Sequence, residues 1–260
     1  MNDFEICYML DFRKLPKNNI KCRRIYFGHE TCEKRLPAFD EVQELLEISE
    51  KYRLELTFVT PFLTERCFEK VLLFMEQIHT AIHRTMEIVT SDWGLIHWMS
   101  VNKIGTPVAG RFITGQQLDF RLADAENKLS ETMINHLSSC TLLKNKTLDM
   151  LHSLGVNRFE LSNVFQTMTL SADHNISCSL HVPYVPLTIF RTCPENLDFN
   201  SIKKACNCNH NRQKWLHKPS DNAIFCFDNA LYYFHSDFEP NLKLNRQIDR
   251  IIFHDLMYQA

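Results

Sequence analysis

Short apolar runs rich in β-branched and aromatic residues alternate with helical patterns along most of this chain, and that alternation restricts its possible folds more than any other feature. The strand-like runs are FEICYML (4–10), CRRIYFG (22–28), LELTFVT (54–60), MEIVTS (86–91), TPVAGRF (106–112), NRFELS (157–162), a β-rich stretch over 176–190 broken by Pro183 and Pro186, and DRIIFHD (249–255). Between them Pro37 opens a helix with Val42, Leu45, Leu46 and Ile48 at helical spacing. Thr64 caps a second helix, which carries Phe68, Val71, Leu72 and Met75, and Asp92 caps a third before Trp93, Ile96 and Met99. Residues 147–154 form a further helix stopped by Gly155. Strands separated by helices call for a parallel sheet, and a count near eight favours a closed TIM-like α/β barrel over an open doubly wound sheet.

A single barrel domain accommodates all 260 residues. Residues 120–143 read as a polar helical insertion, and AIFCFDNALYYF (223–234) as a β-hairpin turning at Asp228-Asn229. Because this hairpin follows a cysteine cluster, it is expected to act as a flap near that cluster. The net charge of −2 and the absence of a basic stripe argue against a nucleic-acid partner. With no signal-like N-terminus and no apolar run long enough for a membrane span, the expected location is the cytoplasm.

Ten cysteines in a reducing compartment are not expected to form a disulfide framework. Cys7, Cys22, Cys67, Cys140 and Cys178 lie in apolar segments and read as small buried hydrophobes. Cys206 and Cys208, in KKACNCNHN, sit in a polar context, with Cys193 upstream in FRTCP and Cys32 in YFGHETCEKR. Thiolates bind soft or borderline metals, and about four satisfy zinc or a [4Fe–4S] cluster. The spacing of Cys206 and Cys208 is tighter than a common zinc pair, while a cluster tolerates more varied spacing. Zinc, an iron–sulfur cluster and unrelated surface thiols all remain open on the residues alone. His210 and Cys226 are reserve ligands.

Cys32 follows the second strand and Cys193 the seventh, so both fall on the barrel rim where functional groups collect. His29 lies close to Cys32, but a nucleophilic cysteine needs a histidine placed by the fold. No G-x-S-x-G, P-loop, G-x-G-x-x-G or H-E-x-x-H occurs. Glu87 and Asp92 flank a strand and are candidates for acid–base work, with Asp92 read first as a helix cap.

Several segments together resemble the collagenase-like peptidases of unknown catalytic type: YFGHETCEKR, LELTFVTPFL, MEIVTSDWGLIHWM, TPVAGRFIT, VNRFELSNV and VPLTIFRTC, in that order. Within the family, the likeness is to the iron–sulfur subunits of oxygen-independent ubiquinone hydroxylation. It covers roughly 4–112 and 144–255, leaving 120–143 as extra. The resemblance implies a TIM-like barrel with a [4Fe–4S] cluster and carries Cys32, Cys193 and Cys206 over as ligands. The family's fourth cysteine falls at His210, so Cys208, the nearest thiol, is taken as the last ligand. A tyrosine of the family pattern is Ile189 here. The resemblance further implies hydroxylation of a small or lipid-like metabolite without dioxygen, in a heterodimer with a homologous iron–sulfur subunit. A non-catalytic zinc or iron–sulfur scaffold for a partner enzyme is the alternative, and a peptidase ranks below both.

Overall fold

The computed structural model of the chain describes residues 4–10, 22–82, 85–116, 128–140, 145–164, 168, 170, 176–190, 214–215 and 224–254. Its centre is a closed barrel of eight parallel strands. These are β1 (Glu5–Leu10), β2 (Arg24–Gly28), β3 (Glu55–Val59), β4 (Glu87–Thr90), β5 (Thr106–Ala109), β6 (Arg158–Ser162), β7 (Ser177–Val182) and β12 (Ile248–His254), the last closing against both β7 and β1. The helices are α1 (Phe39–Tyr52), α2 (Glu65–Ala81), α3 (Trp93–Asn102), α4 (Glu131–Leu137), α5 (Asn145–Ser153) and α6 (Glu239–Leu244).

Each of the eight strand-like runs contributes one barrel strand. The exception to a simple match is 176–190, which the structure divides. Residues 177–182 stay in the barrel as β7, and the chain then departs at Pro183 into β8 (Tyr184–Ile189) of a second, antiparallel sheet. That sheet has the order β8, β11 (Ala230–Phe234), β10 (Ile224–Phe227) and β9 (Lys214–Trp215). Strands β10 and β11 form the expected hairpin, turning at Asp228, whose φ of 51° suits the Asp-Asn turn. Helix α4 lies inside the expected insertion.

Local chemistry accounts for the helix starts. Thr64 accepts the Cys67 N–H, Asp92 Oδ1 accepts the Leu95 N–H at 2.9 Å, and the Glu41 carboxylate accepts the Ala38 N–H ahead of α1. Alternation along the strands then divides the residues between two faces. In β2, Ile25 and Phe27 pack outward against Val42, Leu45, Val71 and Phe74 of the helical layer. Tyr26 points inward and joins Cys7, Met9, Val59, Val89, Val108 and Ile252. In β6 and β7 the outward residues Phe159, Leu161, Cys178, Leu180 and Val182 belong to the other outer cluster, leaving Glu160, Ser179 and His181 facing the axis.

The end of β2 depends on a glycine. Gly28 has φ +106°, and a Cβ there would lie 2.1 Å from the Val59 carbonyl oxygen. A Gly28→Ala substitution must strain the backbone and push β2 from β3. It is expected to lower stability by roughly 2–4 kcal/mol in urea denaturation. A change under about 0.5 kcal/mol would show that the β2 end does not need this conformation.

Candidate functional site at the C-terminal mouth of the barrel

The tight turn at Gly28 delivers His29, Glu30, Thr31 and Cys32 onto the C-terminal rim, all of them buried. His29 organises this loop. Its Nδ1 accepts the backbone N–H groups of Thr31 and Cys32 at 3.3 and 3.1 Å, so Nε2 carries the proton and meets Asp228 Oδ2 at 3.0 Å. With its lone pair committed to backbone, His29 is not poised to deprotonate the Cys32 thiol. Asp228 Oδ2 also forms an ion pair with Arg35, Nε lying 2.7 Å away, and the Arg35 guanidinium covers the Phe227 ring.

The hairpin turn is thereby fastened onto the Cys32 loop. Asn229 completes the attachment, its Nδ2 donating to the Thr31 carbonyl at 2.9 Å and to the Phe190 carbonyl at 3.2 Å. The Phe190 N–H returns a bond to the Asn229 carbonyl at 2.7 Å. One side chain thus ties the residue before Cys32 to the residue after β8, which leads toward Cys193.

Beside this loop Arg111, from the end of β5, makes a buried two-pronged ion pair with Glu30, and its Nη1 donates to the Tyr184 carbonyl at 2.7 Å. Burial would raise the Glu30 carboxyl, but the charge and hydrogen bond of Arg111 hold it below the ordinary range. This pair locks the second sheet to the barrel mouth.

Below the rim a line of polar groups descends the barrel axis. His254 Nε2 lies 2.8 Å from His181 Nδ1, His181 Nε2 lies 2.7 Å from Glu160 Oε2, and Tyr26 Oη lies 3.0 Å from Glu160 Oε1. Arg250 Nη1 donates to Tyr26 Oη and to Glu87 Oε2, each at 2.7 Å. At the N-terminal end Glu5, Arg24, Glu87, Arg158 and Arg250 form an alternating lattice of charges. Burial would raise the carboxyls of Glu5 and Glu87, yet the surrounding arginines hold both below their usual values.

These positions decide several sequence expectations. Cys32 does follow β2 on the rim, and Cys226 is buried in β10 of the hairpin. Cys193, Cys206, Cys208 and His210 lie outside the described residues. Among the described residues no group of three or more His, Cys, Asp or Glu side chains is arranged to hold a metal. Cys7, Cys67, Cys140 and Cys178 are buried and Cys22 is half-buried; burial pushes the Cys22 thiol up to about 11 and the Cys140 thiol to about 12. Such thiols stay protonated and behave as small apolar groups. Asp92 is a helix cap. Glu87 belongs to the lattice at the barrel end opposite the rim, so it is not placed for acid–base work beside Cys32.

The chain is therefore an eight-stranded parallel α/β barrel with a polar axis and a second sheet fastened over its mouth. Comparison with family models, curated proteins and solved structures returns no match to it. Among the described residues no helix is long and apolar enough to cross a membrane.

Proposed function

We propose that this chain is an iron–sulfur barrel protein of oxygen-independent hydroxylation, similar to the UbiV-type subunits, acting on a small or lipid-like metabolite in a cytoplasmic heterodimer with a homologous subunit. Cys32, Cys193, Cys206 and Cys208 hold its [4Fe–4S] cluster. The observation that supports this most is the double attachment of Asn229 to the Thr31 and Phe190 carbonyls. It joins the Cys32 loop to the start of the segment carrying Cys193, Cys206 and Cys208, which are far away in sequence.

The donor chemistry agrees with the group. Four thiolates suit a soft iron–sulfur centre, and when bound it supplies one-electron redox chemistry. The chain's own contribution is a dry, rigid rim, with Glu30 neutralised by Arg111 and Cys32 buried behind the hairpin. A zinc scaffold would use the same thiols, and metal analysis separates the two.

The fourth ligand is tested by comparing Cys208→Ala with His210→Ala after anaerobic purification. Cys208→Ala should lose most of its iron, while His210→Ala keeps nearly all of it. The reverse pattern would move the ligand to His210. Equal retention in both would point to Cys226.

A further inference from the structure

The axial polar chain has a direction, and the direction follows from Arg250. A guanidinium only donates, so the Tyr26 oxygen accepts from Arg250 and sends its own proton to Glu160 Oε1. Burial keeps that phenol protonated, with its pKa well above the ordinary value. Glu160 Oε2 then accepts the proton on His181 Nε2, which makes His181 Nδ1 an acceptor and requires a proton on His254 Nε2. Every hydrogen in the chain points toward Glu160. The far nitrogen, His254 Nδ1, is left with a lone pair.

His254 is the last residue of β12, at the C-terminal end of the barrel where catalytic groups of this architecture gather. Its side chain is buried, 3% exposed, and among the described residues nothing hydrogen-bonds its Nδ1. Among the described residues Nδ1 is not one of the fully buried side-chain atoms left without a partner, so this end of the network keeps contact with the barrel mouth, where a small molecule can meet it. Branched aliphatic residues normally fill this space. Both rings are held neutral. Burial and the charge of Arg111 lower the pKa of His181, and burial, Arg111, His181 and His29 lower that of His254 well below normal. The charged or titratable groups facing the chain are Arg250, Arg158, Glu87, Tyr26 and Cys7 toward its lower end and Arg111, Glu30 and His29 toward its upper end.

We infer that Glu160, His181 and His254 form a one-proton relay whose open end, His254 Nδ1, is a base at the barrel mouth for a small substrate with an acidic O–H or C–H bond. That bond breaks with its electron pair left on the substrate, and the proton joins His254 Nδ1. The Nε2 proton of His254 passes to His181 Nδ1, and the Nε2 proton of His181 passes to Glu160 Oε2. The substrate gains one negative charge and Glu160 loses one. Both rings finish neutral, as Nδ1–H tautomers. This arrangement overcomes the weakness of a lone buried imidazole, which resists forming an imidazolium, by storing the proton as a neutral carboxylic acid. His254 is the catalytic residue, and His181 and Glu160 position and neutralise it. The inference deepens the hydroxylation reading by naming its proton acceptor.

The test is a titration of ¹⁵N-histidine-labelled protein, as purified, from about pH 8 down to the onset of acid unfolding, since ring-nitrogen shifts distinguish the two tautomers from imidazolium. His181 and His254 should switch together from Nε2–H to Nδ1–H at one midpoint, without an imidazolium. Glu160→Gln should abolish the switch. Independent titration of either ring to imidazolium, or no change in either ring, would overturn the relay. The wild-type titration decides the matter even if Glu160→Gln does not fold. Iron content is assayed on the same samples, and because tautomers report the relay with or without iron, failure of one reading leaves the other intact.

Discussion

Replacing Arg250 with methionine is expected to destabilise the protein by about 3–5 kcal/mol, among the largest effects of any single substitution. Arg250 is one of the largest fully buried side chains, and three acceptors from three strands depend on it: Glu5 Oε2 at 2.7 Å, Glu87 Oε2 at 2.7 Å and Tyr26 Oη at 2.7 Å. Methionine fills much of the same volume, so the loss comes chiefly from taking one guanidinium away from two half-buried carboxylates, which keep only Arg24 and Arg158. The pH dependence gives the cause away. In the wild type, Arg250 and its neighbours depress the pKa values of Glu5 and Glu87, so their stabilisation is present above the ordinary carboxylate range. It is lost as the pH falls through the lowered values. Without Arg250 the downward pull on both carboxyls weakens while Arg24 and Arg158 remain, so the variant gains less stability than the wild type as pH rises through the lowered values. Urea denaturation should therefore show a larger defect at about pH 7 than at about pH 3. A second check is a double-mutant cycle with Glu87→Gln, where the coupling should reach about 1–3 kcal/mol.

The second large effect is functional. A Cys32→Ala variant is expected to lose nearly all of its iron while keeping the barrel. The thiol deleted is small, and the loop that carries it is held by groups the substitution leaves in place: His29 on the backbone of Thr31 and Cys32, Asn229 on Thr31, and Arg111 on Glu30. Far-ultraviolet circular dichroism should remain unchanged. The urea midpoint should match that of wild-type protein stripped of iron. If Cys32→Ala kept full iron, the cluster would have to rest on thiols that exclude the rim of β2.

The barrel was legible in the sequence for a clear physical reason. Parallel strands covered on both faces read as short apolar runs, and 24–28, 55–59 and 87–90 are such runs. The stretch 176–190 was harder, because one continuous β-rich run serves two sheets and only the pairing of Tyr184–Ile189 with β11 reveals the division. The axial chain was not legible. Glu160 in NRFELS and His181 in SCSLHV look like polar residues on solvent-facing positions of alternating strands. Closure of the barrel turns those positions inward, and the register of β6 on β7 and β7 on β12 then brings Glu160, His181 and His254 into one line. A sequence signal did exist in retrospect: Glu160 and His181 are each a lone ionisable residue between apolar neighbours, in strands whose other face is buried. Asn229 was recognised as a turn residue, and its second role, joining Thr31 to Phe190, needed the packed structure.

The central claim is that Cys32, Cys193, Cys206 and Cys208 hold an iron–sulfur cluster, and the most direct measurement is the iron and acid-labile sulfide content of anaerobically purified protein. The proposed function predicts a brown protein with about four irons and about four sulfides per chain. A colourless protein with about one tightly held zinc per chain and no sulfide would contradict it.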